Sequence, residues 1–459
     1  MQRRKFIKNT LLASGGALGL GACEDKTAIN RDRKFEGTVA IIGAGAAGLY
    51  AGYLLEENKT NYTIFEASDQ IGGRVRSLKG LVDFEVELGA EEIHGKNSEW
   101  YKWAKDSGAG FVSDNATDYY QIGNLLRTES QLSGDVEFRA AQTAIQQATN
   151  YSGADVNLVQ YMDNLRLAAR VRHVVEAQVA NEYGAAPNRL SVRGITEEDQ
   201  AWSAGSDNYA VSNRALQTIL RDKCSAVLPK VKLNTPIKRI DYAANARVSI
   251  EDAQGLRQSF DKVLITVPLT ILQNSEIQFS PALPDAKLNA LKRIGMGAGM
   301  KVILAFSRRF WAADTGCIIS SGAIPKYWVS SLGRSSQAFV LTGFVMGSKA
   351  EALSGLPTAT AIQTVVRDLD AMYGAGVASG ALVNARIMDW TKEPFIKGAY
   401  SYPLVGGGGL ATRQDLAAPV QRKLYFAGEA THYGGHSGTV HGAMESSQRA
   451  VEELLREIE

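Results

Sequence analysis

Apolar positions along this chain follow two rhythms. Residues 37–58, "GTVAIIGAGAAGLYAGYLLEEN", pass from a β-branched run fit for a buried strand, through a glycine-rich turn, into helical spacing. "NYTIFEAS" predicts a second strand, and "ELGAEEIHG" (87–95) a strand entering a turn. Residues 97–200 change character. They are rich in Ala, Gln, Asn and charge at helical spacing, as in "AAQTAIQQATNYSG" and "NLVQYMDNLRLAARVRHVVEAQVANEYG", and predict a mostly helical insertion. From Asn213 a helix ("NRALQTILRDKCSAVL") leads into strands ("VKLNTPIKRIDY", "ARVSIEDA", "KVLITVPLTIL"). Residues 300–390 predict a second unit of strands and a helix, with "MKVILAFS", "FVLTGFVM" and "AIQTVVRDLDAMYG". The last stretch, from "LYFAGEATHYGG" to "RAVEELLREI", reads as strand, glycine-rich turns and a long amphipathic helix. There is no internal repeat, and "GGGG" at 406–409 is a local loop.

The length, 459 residues, allows about three domains. A hydrophobic share of 45% and a charged share of 21% suit a globular protein, and no run of about 20 apolar residues predicts a spanning helix. Residues 1–23 read as an address: a basic start, a short apolar stretch and small residues before Cys23. Arg3 and Arg4, followed by Phe6, Ile7 and Lys8, resemble a twin-arginine export signal, and "LGAC" resembles a lipoprotein cleavage box. The expectation is export to the periplasm or cell surface, with a lipid on Cys23 touching a membrane surface and residues 24–36 as a tether. Residues 1–22 hold four basic residues and no acidic one, so the remainder carries 46 basic against 48 acidic residues. No basic stripe with interleaved aromatics is present, which argues against nucleic acid. Beyond Cys23, Cys224 and Cys317 can form one disulfide or remain two buried thiols.

Chemistry concentrates at "GAGAAG". Gly43 allows a tight turn, Gly45 a close approach to a pyrophosphate, and Gly48 close helix–strand packing. Ala46 and Ala47 open the helix, whose N-terminus offers free N–H groups to phosphate. Glu66 closes the next strand where a ribose hydroxyl acceptor belongs, with Ala67 after it. Together these predict dinucleotide binding; the bland alternative is a glycine turn that serves only packing.

The continuation "EASDQIGGRVRS" and the distal "YFAGEATHYGGHSGTVHGAMESSQRA" resemble the two ends of the FAD-dependent amine oxidases, the family of monoamine, polyamine and spermine oxidases and the lysine-specific histone demethylase. "VLITVPLTIL", "MGAGMKVILAFSRRFW" and "DWTKEPFIKGAYSY" match further blocks, so the resemblance covers nearly all of the chain after residue 37, least specifically over 97–200. It implies an α/β fold: a Rossmann-type FAD-binding domain of non-contiguous segments (37–96, 213–299, 390–459) with an interleaved α+β substrate domain (97–212, 300–389) carrying the helical insertion. By the same resemblance Gly73 and Arg74 meet the diphosphate, and Gly89, Ala90 and Glu91 run along the flavin with the Glu91 side chain outward. Ile237 touches the adenine side through its main chain, Trp390 packs beside the flavin, and Gly428, Glu429, Gly438, Thr439 and Val440 complete the cradle. Ala399 stands where monoamine oxidases carry the cysteine that bonds to flavin, so the FAD is expected to be non-covalent.

The resemblance implies oxidation of a C–N bond by hydride transfer to flavin N5, imine hydrolysis, and reoxidation by O2 to give H2O2. In the family the lysine matching Lys301 holds a water at N5. A buried ammonium needs a partner, and that water with the reduced flavin is the one expected. Tyr400 aligns with the aromatic flanking the substrate amine, where a ring face attracts a cation. Thr439 replaces a second tyrosine, which half opens the cage. Glu92 stands where L-amino-acid oxidases carry a carboxylate-binding arginine; a carboxylate there repels an amino acid and attracts a second ammonium. His94 matches the histidine of polyamine oxidases, a proton acceptor or orienting group. Glu92 bridging to a structural arginine is the bland reading. The expectation is an oxidase of a diamine, polyamine or other primary or secondary amine, with no metal. The alternatives are an L-amino-acid oxidase, a flavin desaturase or dehydrogenase passing electrons to a quinone, and a flavin-binding module without turnover. Oligomeric state is left open by the sequence.

Overall fold

The computed structural model describes residues 35–112, 116–243 and 247–456. The export segment, Cys23 and most of the tether lie outside the described residues. Strand β1 (Thr38–Ile42) is flanked on both sides by parallel partners, Lys262–Ile265 and β2 (Asn61–Phe65), which is why it is apolar almost throughout. Val231–Lys232 and Leu424–Phe426 complete a five-stranded parallel sheet drawn from three separate stretches of chain. Helix α1 (Ala46–Glu57) and the C-terminal helix Val440–Arg456 cover one face, packing Leu49, Leu55, Met444, Val451 and Leu454 together. A four-stranded sheet built on Ile237–Asp241 and Val248–Asp252 covers the other through Ile240, Ile250 and Phe426.

The second unit is a seven-stranded sheet in which Gly299–Phe306 lies one strand in from an edge, paired antiparallel to Phe339–Met346 and Leu382–Asp389. All eight residues of Gly299–Phe306 are buried. Residues 136–201 form the expected helical layer, with its own core of Phe138, Ile145, Val171, Val174 and Ile195. The stretch 97–200 is less uniformly helical than its spacing suggests. Its hairpin Thr117–Ile122 and Leu125–Thr128 joins the seven-stranded sheet, because Thr315–Ile319 offers a parallel edge. Trp100 and Trp103, at the start of that stretch, pack instead around α1.

Cys224 and Cys317 are buried and form no disulfide, the one in the first unit and the other in the second. Burial pushes the Cys224 thiol up to about 12. Among the described residues no helix is long and apolar enough to cross a membrane.

Candidate active site

A cavity of about 760 Å³ runs from the glycine turn after β1 to the buried strands of the second unit. Every cofactor and catalytic position expected from the sequence lines it, except Gly48. The glycines divide by function. A Cβ at Gly48 would come 1.9 Å from the Gly43 carbonyl oxygen, so that glycine serves strand–helix packing. A Cβ at Gly45 would meet no protein atom within 4 Å, yet Gly45 caps α1 with no side-chain hydrogen bond of its own. Packing therefore explains Gly48 and leaves Gly45 unexplained until a ligand approaches the open helix N-terminus. A Cβ at Gly73 would lie 3.3 Å from Gly45 Cα, closing the same cradle.

Glu66 Oε2 accepts from the Ala44 N–H at 2.7 Å, and Oε1 accepts from the Ser68 N–H and hydroxyl. Its carboxylate is held at the cavity wall with lone pairs left for a ribose hydroxyl. Arg74 donates to the Ala399 carbonyl at 2.7 Å and to Glu429 at 2.9 Å. Trp390 donates to the Leu88 carbonyl and is buried against Gly89. Ile237 is buried at the start of its strand. The residues present fit a dinucleotide cofactor: glycine turn and helix end for phosphate, Glu66 for ribose, and apolar walls beyond.

At the other end, one expectation is corrected. The Glu91 side chain points inward: Oε2 accepts from Lys301 Nζ at 2.6 Å, and Oε1 accepts from Trp328 Nε1 at 2.9 Å and the Ser330 hydroxyl at 3.2 Å. The Lys301 ammonium thus has a carboxylate of this chain as one partner and the Glu87 carbonyl, 3.1 Å away, as another. Burial of an ammonium on the fully buried strand demands such a partner, and Glu91 is the acid the fold brings there.

Glu92 and His94 lie on one face of the short strand Glu92–His94, with Ile93 on the other, wholly buried. His94 Nδ1 lies 2.7 Å from Asn208 Oδ1, which can only accept, so Nδ1 carries the proton and Nε2 is the basic nitrogen. The Tyr400 hydroxyl donates to the Glu182 carbonyl at 2.8 Å. A Cβ at Gly184, with φ of +69°, would strike the Tyr400 ring, so this glycine is required. The Thr439 hydroxyl bridges the His436 carbonyl and the Gly442 N–H, capping the C-terminal helix.

Sequence reasoning missed Glu182 and Lys326. Glu182 follows a π-helical turn, Glu176–Ala180, and reaches the cavity. It accepts from the buried Lys326 Nζ at 2.5 Å. Burial disfavours the Lys326 ammonium, but the charge and hydrogen bond of Glu182, with the charge of Glu92 beyond it, outweigh that and hold the group charged. Three carboxylates, Glu91, Glu92 and Glu182, thus line this end beside Lys301, while Lys326 lies behind Glu182 and Arg334 shares a smaller neighbouring cavity with Glu91 and Glu92. A lysine inside the apolar stretch "AIPKYWVS" was the available signal.

His432, His436 and Glu445 bring their ligand-type atoms within 4.8 Å of one another. Their proton positions suit hydrogen bonding rather than a metal. His432 Nδ1 accepts from the Gly434 and His436 N–H groups, and His436 Nε2 accepts from the Ser203 N–H. Each ring's other nitrogen must then be the one that carries hydrogen, and both donate to Glu445 Oε2. A metal-bound histidine needs an acceptor, not a donor, behind it.

Residues 46–455 match the family described as flavin containing amine oxidoreductase. A lysine-specific histone demethylase 1 homolog 2 of Oryza sativa subsp. japonica is 28% identical over 447 residues, covering 92% of this chain and 57% of that protein. A probable polyamine oxidase 4 of Arabidopsis thaliana is 23% identical, covering 94% and 89%. The chain thus spans about half the length of the demethylases it matches. Among solved structures, cyclohexylamine oxidase from Brevibacterium oxydans IH-35A superposes with a TM-score of 0.80 at 20% identity, over 92% of this chain and all of that one. Putrescine oxidase bound to putrescine gives 0.75 at 19%, over 92% and 100%. At these identities the superpositions establish the fold, while the match over most of the chain establishes the relationship: this protein belongs to the flavin-containing amine oxidoreductase family.

Proposed function

We propose that this protein oxidises a small amine, a diamine or polyamine above others, with non-covalently held FAD and O2 as acceptor. The observation that carries the reading is the set of carboxylates lining the Lys301 end of the cavity: Glu91, Glu92 and Glu182, with Lys301 as the lysine in the same lining and Lys326 behind Glu182. A low-dielectric pocket of that balance favours an ammonium and repels a free carboxylate, which counts against an amino-acid substrate. The flavin, when bound, supplies the hydride acceptor. The chain supplies the rest. Glu92 attracts the distal ammonium, and the Tyr400 ring borders the reacting amine. His94 Nε2 takes the proton that a protonated amine must lose before oxidation. Lys301, held by Glu91, orients water at the reacting face. No cysteine lines the cavity among the described residues, in keeping with non-covalent binding. Export and lipid attachment at Cys23 belong to the proposal on the strength of residues 1–23 alone.

The test is anaerobic mixing of purified protein with amines and amino acids while the oxidised flavin absorbance is followed. Bleaching by putrescine or spermidine, and not by amino acids, is expected. Bleaching by amino acids alone would replace this reading with an L-amino-acid oxidase. Bound flavin bleached by neither class would leave the quinone-linked dehydrogenase and the non-catalytic module.

A further inference from the structure

Beneath the cofactor cradle, four charged side chains form one line, three of them buried and the fourth, Arg74, at the cavity wall. Glu429 accepts from Arg74 Nη1 at 2.9 Å, from the Ser401 hydroxyl at 2.6 Å and from the Gly438 N–H at 2.8 Å. The Ser401 hydroxyl has a single proton, and Glu429 receives it. Its oxygen is met by Arg413 Nη1 at 2.8 Å. The same Nη1 donates to the Ala430 carbonyl, and Nε donates to Glu198 Oε1 at 3.0 Å. Arg413 Nη2 lies 2.9 Å from that oxygen but off the hydrogen-bond direction. The Ser437 hydroxyl completes the shell of Glu198 at 2.8 Å.

Arg413 is wholly buried, and Glu198 is 2% exposed. They come from helices Leu410–Ala417 and Val192–Ala201, 215 residues apart in the chain. Only Arg74 and Glu429, at one end of the line, line the cavity.

The order of donors is what gives Arg413 a role beyond packing. A serine hydroxyl can turn its proton toward either neighbour. With a guanidinium on one side it can only give that proton away from Arg413, toward Glu429. Arg413 therefore sets the direction of Ser401. Ser401 in turn helps hold the carboxylate that fixes Arg74 and the Gly438 N–H at the cavity wall. The charges of Arg74 and Arg413 both hold the Glu429 carboxyl below its ordinary range against its burial.

We propose that Arg413, held by Glu198, is a positioning residue for the cofactor: it acts through Ser401 and Glu429 to set flavin affinity, so that a helix of the substrate-side layer governs the cradle. This rests on the reading that the cradle holds a flavin dinucleotide.

The experiment follows flavin release from the full-length holoprotein by fluorescence, beside its thermal midpoint stripped of flavin. Arg413→Met and Ser401→Ala should each weaken flavin binding by about tenfold or more, the effect of losing a hydrogen bond to a charged group. Arg413→Lys keeps the charge but not the fork that spans Ser401 and Glu198, so its affinity should fall between wild type and Arg413→Met. The deciding variant is Arg413→Met with Glu198→Gln. Removing both charges should restore the thermal midpoint, because no lone buried carboxylate is left. It should not restore flavin affinity, because Ser401 still lacks its donor. Should affinity return together with the midpoint, or should Ser401→Ala bind flavin like wild type, Arg413 is only a structural tie. A wild-type protein that binds no flavin at all would overturn the cradle itself, a distinct outcome.

Discussion

Lys301 and Lys326 stand in one cross-strand row, each directly opposite Phe344 and on the same face of the seven-stranded sheet. Two strand spacings separate them, roughly 9–10 Å. Each holds its own acid, Glu91 and Glu182, brought from distant stretches of chain. Lys301, Glu91, Phe344 and Glu182 line the cavity there, Lys326 stands behind Glu182, and Glu92 adds a third carboxylate to the lining.

Lys301→Met leaves Glu91 buried with only Trp328 and Ser330 as donors. It should cost about 3 kcal/mol in urea unfolding, and adding Glu91→Gln should recover most of that. Flavin should stay bound while stopped-flow reduction or reoxidation slows strongly. Wild-type rates in both half-reactions would remove Lys301 from the chemistry.

Glu92→Gln should lower kcat/KM for a diamine by roughly tenfold, the change that about 1.4 kcal/mol of lost charge pairing produces. A monoamine of equal length should be nearly unaffected. Equal losses on the two substrates would make Glu92 structural.

Gly45→Ala and Gly48→Ala should part company. The first has room in the protein and should melt near wild type while losing flavin affinity by at least tenfold, as a methyl group occupies the cradle. The second drives a methyl into the Gly43 carbonyl and should destabilise the fold itself. Thermal midpoints with and without added FAD separate the two.

Acid should weaken the fold from pH 6.5 downward. Burial holds His173, His432 and His441 below the ordinary histidine value, so the unfolded chain binds their protons first. Their contribution is full above about pH 6.5 and is lost as pH falls through the lowered values. Glu87 opposes them: burial pushes its carboxyl up to about 7, so its contribution is lost as pH rises from about 4.5 through 7. Below about pH 4.5 Glu87 contributes no further change, and Glu429 and Glu445, both held below the ordinary carboxylate range, add to the loss. His432→Gln should flatten the thermal midpoint between pH 7 and 5; an unchanged slope would assign the acid sensitivity elsewhere.

Much of this was legible in the chain because it is local. A β-branched run, a turn that demands glycine and a helix start lie within twenty residues, so Gly43, Gly45, Gly48 and Glu66 could be assigned roles from spacing alone. Lys301 stood out because a charge inside "MKVILAFS" cannot be buried without a reason. The hairpin Thr117–Ile122 and Leu125–Thr128 was hidden, since what makes it a sheet edge is Thr315–Ile319, nearly two hundred residues away.

By itself, then, the sequence determined the cofactor turn, the family and the acidic character of the stretch 91–92. Tertiary structure alone decided which way Glu91 turns, which acid meets each lysine, and that Glu198 reaches Arg413 under the cradle. The reason is physical. Backbone conformation is set by near neighbours, whereas a buried charge is satisfied by whichever opposite charge the folded layers bring within about 3 Å, and that distance has no trace in sequence separation.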